Sequence, residues 1–298
     1  MRVSFLLFVV ILLAQCSPQT GNKALPPWPE RVHPEWSKDA VVYELNVRQY
    51  TPEGTFQALL PHLNRLRELG VDIIWLMPIQ PIGEKNRKGT LGSYYSIKDY
   101  QSINPEFGTA ADFQQLVDSI HAKGIHVILD WVANHTAWDH PWATQHPEWY
   151  QQNPEGQFVP PLGSDWSDVI ALNYEAAGVQ KAMADAMRYW VEEFDIDGYR
   201  CDVAGFVPRD FWNDVRVQLD SIKPVWMLAE WNARDLHDHA FDATYAWSFH
   251  EAMHKVHTGE MNAAGLKYTL AEWCNSTPQD DYQMLFTTNH DKNAWEGT

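Results

Sequence analysis

The stretch Ile125-His126-Val127-Ile128-Leu129-Asp130-Trp131-Val132-Ala133-Asn134-His135 decides the fold. It is apolar at most positions as far as Val132, on both faces of any strand it could form. That is the pattern of a parallel strand covered on either side. A helical pattern precedes it over Ala110–Lys123, with Phe113, Leu116, Val117 and Ile120 on one face and Gly124 as the stop. Its far end carries Asp130, Asn134 and His135, which a buried strand does not need for stability.

The same rhythm runs outward in both directions. Upstream, Val41–Tyr50 reads as a first strand, Thr55–Leu69 as a helix presenting Leu59, Leu63 and Leu66, and Asp72–Ile79 as a second strand. Downstream, Thr136–Tyr174 has no period and is rich in aromatics, Pro, Gly and Asp. A loop of that length inside a compact domain is usually functional. Beyond it come a helix over Val179–Phe194, a fourth strand over Gly198–Ala204, a helix over Asp210–Ile222 and a fifth strand over Val225–Trp231. Ala243–Trp247 reads as a sixth strand, Phe249–Val256 as a helix and Gln283–Asn289 as a seventh strand. Repeated βα units predict a parallel sheet, and this series predicts an α/β fold, a (β/α)8 TIM-type barrel whose eighth βα unit is absent from this chain. The sequence therefore reads as a piece of a longer protein.

The expected divisions are a signal peptide over 1–16, a tether over 17–37, barrel over 38–135, an inserted region over 136–174 and barrel again over 175–298. The apolar run Val3–Ala14 is too short to span a bilayer and fits a signal-peptide core. Cys16 after Leu12-Leu13-Ala14-Gln15 resembles a lipoprotein cleavage site, although Gln15 is larger than the residue usual there. Export follows as an expectation, either to a bacterial envelope, periplasmic or lipid-anchored, or by secretion. Cys201 and Cys274 make no disulfide framework. A net charge of −17 over 298 residues argues against a nucleic-acid partner, and 15 Trp and 12 Tyr offer flat faces suited to sugar rings.

In such barrels chemistry sits at the C-terminal ends of the strands. The third strand delivers Asp130, Asn134 and His135 there, the fourth Arg200 and Asp202, the fifth Glu230 and the seventh Asn289, His290 and Asp291. Arg200 and Asp202 are two apart and share a face, so the guanidinium is expected to hold Asp202 ionised and low in pKa, as a nucleophile requires. Glu230 lies among Trp226, Leu228 and Trp231, where loss of water is expected to raise its pKa towards that of a general acid. On adjacent strands the two carboxyls can stand about 5 Å apart, the spacing of a retaining pair.

In this order, Asp130-x-x-x-Asn134-His135, Gly198-x-Arg200-x-Asp202, Glu230 and Asn289-His290-Asp291 resemble the four signature regions of glycoside hydrolase family 13, the α-amylase family. Tyr95–Tyr100 followed by Asn104-Pro105-x-Phe107-Gly108 resembles the segment after the second strand. The resemblance implies Asp202 as nucleophile, Glu230 as acid/base and Asp291 as transition-state stabiliser. It implies Arg200 as the group orienting Asp202, and His135, His290, Tyr95 (with Tyr94 beside it) and Trp231 as substrate contacts. It makes Thr136–Tyr174 the family's inserted domain B and an α-glucan such as starch or maltodextrin the substrate. A C-terminal β-domain usual in the family is absent here. Hydrolysis, transglycosylation, sucrose or trehalose isomerisation and plain glucan binding all stay open. Many members carry Lys-His where this chain has Gly205-Phe206. For the calcium ion that many members bind, the available oxygen donors are Asn134, Asp168 and the carbonyl of Phe206.

Overall fold

The structure is a computed structural model describing residues 28–278 and 280–293, without the side chains of 274–276. The expected signal peptide, the Cys16 anchor, the tether up to residue 27 and the Cys274 thiol lie outside the described residues. The strands are β1 (Val42–Leu45), β2 (Ile73–Leu76), β3 (His126–Trp131), β4 (His135–Ala137), β5 (Val169–Ala171), β6 (Gly198–Cys201), β7 (Trp226–Ala229), β8 (Ala243–Tyr245) and β9 (Tyr282–Met284). Seven form one parallel sheet in the order β1-β2-β3-β6-β7-β8-β9. β4 and β5 pair antiparallel inside the inserted region.

Period-two alternation divides the sheet's residues between two cores. Ile74, Leu76, Val127, Leu129, Tyr199, Cys201 and Met227 point outward to the helices. Ile73, Trp75, Ile128, Trp226, Leu228, Ala243 and Tyr245 form a separate inner cluster, against which Val42 of β1 and Tyr282 and Met284 of β9 also pack. Residues from both ends of the sheet meet in one cluster, so the sheet curls into a seven-stranded barrel wall. Its edges, β1 and β9, flank a cleft of about 740 Å³ lined by both.

Local sequence explains the helices and where the expectations needed correction. Ala110–His121 opens on a capping box, Thr109 accepting from the Asp112 N–H while the Asp112 carboxylate accepts from the Thr109 N–H. The continuous helix expected over Thr55–Leu69 is broken into Phe56–Leu59, a 3₁₀ turn at Leu60–His62 and Leu63–Glu68, because Pro61 has no N–H to donate. The first strand stops at Leu45, and Val47–Tyr50 coils into a helical turn. A helix over Ala263–Ser276, which the periodicity did not reveal, starts at an Asn262 cap. The last part of the expected tether is docked. Trp28 donates to Asp214 at 2.6 Å, Arg31 reaches the His237 carbonyl and Asp281, and His33 lies 2.8 Å from Asp242.

Gly198 opens β6 with φ +149°, and a Cβ there would stand 1.8 Å from the Trp226 carbonyl oxygen. Backbone cannot yield to a methyl group at that distance, so Gly198→Ala forces β6 away from β7. The expected result is a loss of more than about 3 kcal/mol, since close packing and strained backbone are both affected. A urea titration followed by circular dichroism checks it, and an unchanged midpoint would refute it.

Candidate active site

β6 turns Arg200 and Asp202 into the barrel, and its register sets Asp130 of β3 beside Arg200. Arg200 has a fully buried side chain that spans three carboxylates. Nη1 is 2.9 Å from Asp130 Oδ1 and 3.0 Å from Asp202 Oδ1, and Nη2 is 2.6 Å from Glu230 Oε1. Nε donates to the Tyr245 hydroxyl at 3.2 Å, and the guanidinium sits 4.9 Å from the centre of the Trp75 ring. Only an arginine offers two charged ends in one plane for such a cluster.

The next shell fixes the carboxylates. Asp130 accepts from Trp75 Nε1 and from the Tyr95 hydroxyl, both at 3.1 Å. Glu230 accepts from the Val203 N–H at 2.8 Å. Val203 lies in the left-handed region at φ +38°, where a β-branched residue is strained. That hydrogen bond therefore ties the strained residue after Asp202 to the neighbouring strand's glutamate. His290 stacks on Tyr95 with its Nε2 2.9 Å from the hydroxyl, and its Nδ1 lies 2.5 Å from Glu44 of β1.

Burial decides the charges. Loss of water pushes Glu230 up to about 7, with Arg200 opposing. It pushes Asp202 and Asp130 up to about 6, again against Arg200. Desolvation thus outweighs the guanidinium at Asp202, which corrects the expectation of a lowered value: one cation is shared among three carboxyls that also repel one another. Burial brings His135 down to about 4, leaving it neutral at pH 7. Burial works against protonation of His290 too, but the Glu44 hydrogen bond and charge outweigh it and raise the pKa.

Tyr95, His135, Asp202, Glu230, His290 and Asp291 line one pocket of about 260 Å³, with Trp166, Asp168 and Lys88 on its wall. Asp291 lies 3.3 Å from His290 Nε2. Arg200 stands behind the carboxylates. Trp231 is not among the lining residues; its indole rests on Gly205. Glu44, Trp75 and Tyr245 complete the site and were not anticipated. Each sits at an inward position of its strand, and that alternation was the available signal.

Two of the oxygen donors considered for calcium have other neighbours. Asp168 pairs with Lys88 at 3.5 Å on the pocket wall, and Asn134 Nδ2 lies 3.2 Å from His135 Nδ1. A hard cation needs six to eight oxygens. Among the described residues no group of three His, Cys, Asp or Glu is placed to hold a metal.

The site is thus a cluster of carboxylates gathered at the C-terminal ends of a curled parallel β/α sheet. Comparison with known proteins is specific. The family model described as "Alpha amylase, catalytic domain" matches residues 32–295, and the chain belongs to that family. It is 28 % identical over 276 residues to alpha-amylase MalA of Haloarcula japonica, covering 88 % of this chain and 40 % of that protein. It is 32 % identical over 248 residues to an alpha-1,4-glucan:maltose-1-phosphate maltosyltransferase of Cereibacter sphaeroides, covering 74 % and 41 %. The crystal structure of an alpha-amylase from Lactobacillus plantarum superposes with a TM-score of 0.82 at 39 % identity, covering 86 % of this chain and 64 % of that one. The chain thus spans about two-fifths of the length of these curated relatives.

Proposed function

We propose that the protein hydrolyses α-glucosidic bonds, mainly α-1,4, in starch or maltodextrins with retention of configuration. The observation that carries this reading is Arg200 holding Asp202 and Glu230 on the two ends of one guanidinium. One cation thus holds both carboxyls at the same pocket, as a pair acting on a single glycosidic bond requires.

In the first step an Asp202 oxygen bonds to the anomeric carbon while that carbon's bond to the leaving oxygen breaks, and Glu230 passes its proton to the leaving oxygen. In the second, Glu230 takes a proton from water. The water oxygen bonds to the anomeric carbon, and the bond to Asp202 breaks. Asp291, His290 and neutral His135 face the pocket as contacts for the sugar hydroxyls, with Tyr95 against the ring. Release of reducing sugar from maltoheptaose, with the first-formed anomer read by proton NMR, tests the proposal; a β-anomer as initial product would refute it.

A second reading keeps the intermediate and replaces water by a sugar hydroxyl, making a transferase. The maltosyltransferase relative supports it by name. Addition of a free acceptor sugar to the same digest separates the two. On the strength of the Val3–Ala14 run and Cys16, we also propose export, with lipidation at Cys16.

The raised carboxyls predict a narrow pH profile. Asp202 must be ionised, so rate falls as pH drops through about 6; Glu230 must carry its proton, so rate falls as pH rises through about 7. The values belong to the coupled set. A profile of kcat/KM flat from pH 5 to 9 would contradict the assignment.

A further inference from the structure

At the end of the barrel away from the pocket, residues 28–37 cross the N-terminal ends of several strands, and the mechanism above gives them no part. Arg31 pairs with Asp281, the residue before β9, and its Nε stands 3.7 Å from Asp242, the residue before β8. All three side chains are 6 % exposed or less. The His33 ring lies 2.8 Å from Asp242 and 3.3 Å from Asp281, its centroid 4.5 Å from that of Tyr282 in β9. Trp36 stacks on His126 of β3 at 3.8 Å, and the chain then enters β1 at Val42. One short segment thus joins the starts of β8, β9, β3 and β1.

β9 is the strand that needs this support. It is three residues long with none fully buried, and β8 is its only strand partner among the described residues. β6 and β7 are buried at every position and paired on both sides. Tyr282 registers with Ala243, so Asp281 and Asp242 stand side by side just ahead of the ladder, and Arg31 spans the two. Asp242 is itself fixed, accepting from Arg216 and from the Met227 N–H, both at 2.7 Å. A slip of one residue along β8 would carry everything after β9 by about 3.3 Å. A buried ion pair adds little net stability over an apolar pair of the same volume; what it supplies here is one arrangement in place of several. We propose that residues 28–37 form a strap in which Arg31 is a positioning residue: by bridging Asp242 and Asp281 it pins the register of β9 on β8, and so places His290 and Asp291 at the pocket. The inference goes beyond the retaining α-glucosidase reading and uses that reading only where turnover is measured.

Hydrogen–deuterium exchange and kinetics on the whole chain test it together. Arg31→Met is expected to speed amide exchange over 282–291 at least about tenfold and to leave 198–202 and 226–230 within about twofold of the parent. Its kcat/KM on maltoheptaose is expected to fall about tenfold, with both limbs of the pH profile unmoved because Asp202 and Glu230 keep their surroundings. Val32→Ser, at a side chain 75 % exposed on the same strap, is expected to behave like the parent. Asp281→Asn breaks the pair from the other side and is expected to give the same pattern, which keeps the test open should Arg31→Met fail to fold. Faster exchange over the whole sheet, or none over 282–291, overturns the pin, and so does faster exchange there with undiminished turnover. If the unmodified protein leaves maltoheptaose uncut, the α-glucosidase reading fails, and the exchange pattern alone decides the strap.

Discussion

Asp202→Asn is expected to lower kcat on maltoheptaose by at least about 10⁴-fold while leaving the fold intact. The amide keeps the volume of the carboxyl and still offers Arg200 an oxygen, and Arg200 retains Asp130 and Glu230 as charged partners. What disappears is the anion that forms the bond to the anomeric carbon. A leaving group that needs no proton does not help, so α-maltosyl fluoride is expected to be inert with this variant. Glu230→Gln makes the contrast. Fluoride departs without a proton, so that variant is expected to form the glycosyl-enzyme from the fluoride and stall, for lack of a base to activate water. Intact-mass spectrometry reads the adduct. An adduct on Asp202→Asn, or ordinary starch hydrolysis by either variant, would reverse the assigned roles.

Arg200→Met is expected to be the most damaging substitution for stability. It removes the cation from a fully buried cluster and leaves Asp130, Asp202 and Glu230 facing one another. Breaking a buried ion cluster from one side costs about 3–5 kcal/mol. In a domain of this size that is a fall in Tm on the order of 10 °C. The dependence on pH has a definite sign. In the folded protein these carboxyls titrate at about 6 to 7, above their unfolded values, so the folded state binds more protons between roughly pH 4 and 7. Stability therefore declines as pH rises through that range, and without Arg200 it declines further because the charged forms lose their partner. The deficit of the variant is expected to be larger at pH 8 than at pH 5 by calorimetry. Arg200→Lys is expected to recover little, since a single ammonium cannot serve two ends of the fork. Equal deficits at the two pH values would mean the cluster is already protonated and uncharged in the parent.

Period and punctuation carried most of the fold. Short apolar runs located β2, β3, β6 and β7, and Gly124 marked a true helix end. The carboxylates were legible for the same reason, being polar residues at inward positions near the ends of apolar strands. Features that depend on a distant partner were not legible. Glu44 reads as an ordinary strand residue until the curl of the sheet brings His290 to it, and nothing local about Gly205 announces the indole that lies on it. The sign of the Asp202 shift was misjudged because sequence shows the neighbouring arginine and hides the completeness of burial. The docking of residues 28–37 escaped notice because it rests on ion pairs with Asp242 and Asp281, more than two hundred positions away.

The contact between Glu44 and His290 has a mechanical meaning. Asp202 and Glu230 follow interior strands that are paired on both sides, whereas His290 and Asp291 follow β9, an edge. Two hydrogen bonds from His290, through its backbone N–H at 3.2 Å and its ring, reach across to β1. They act as a clasp between two edges that no ladder joins among the described residues. Asp202 and Glu230 are built into the wall, whereas His290 and Asp291 hang on the clasp. A disturbance that parts the two edges would displace His290 and Asp291 first and leave Asp202 and Glu230 in place.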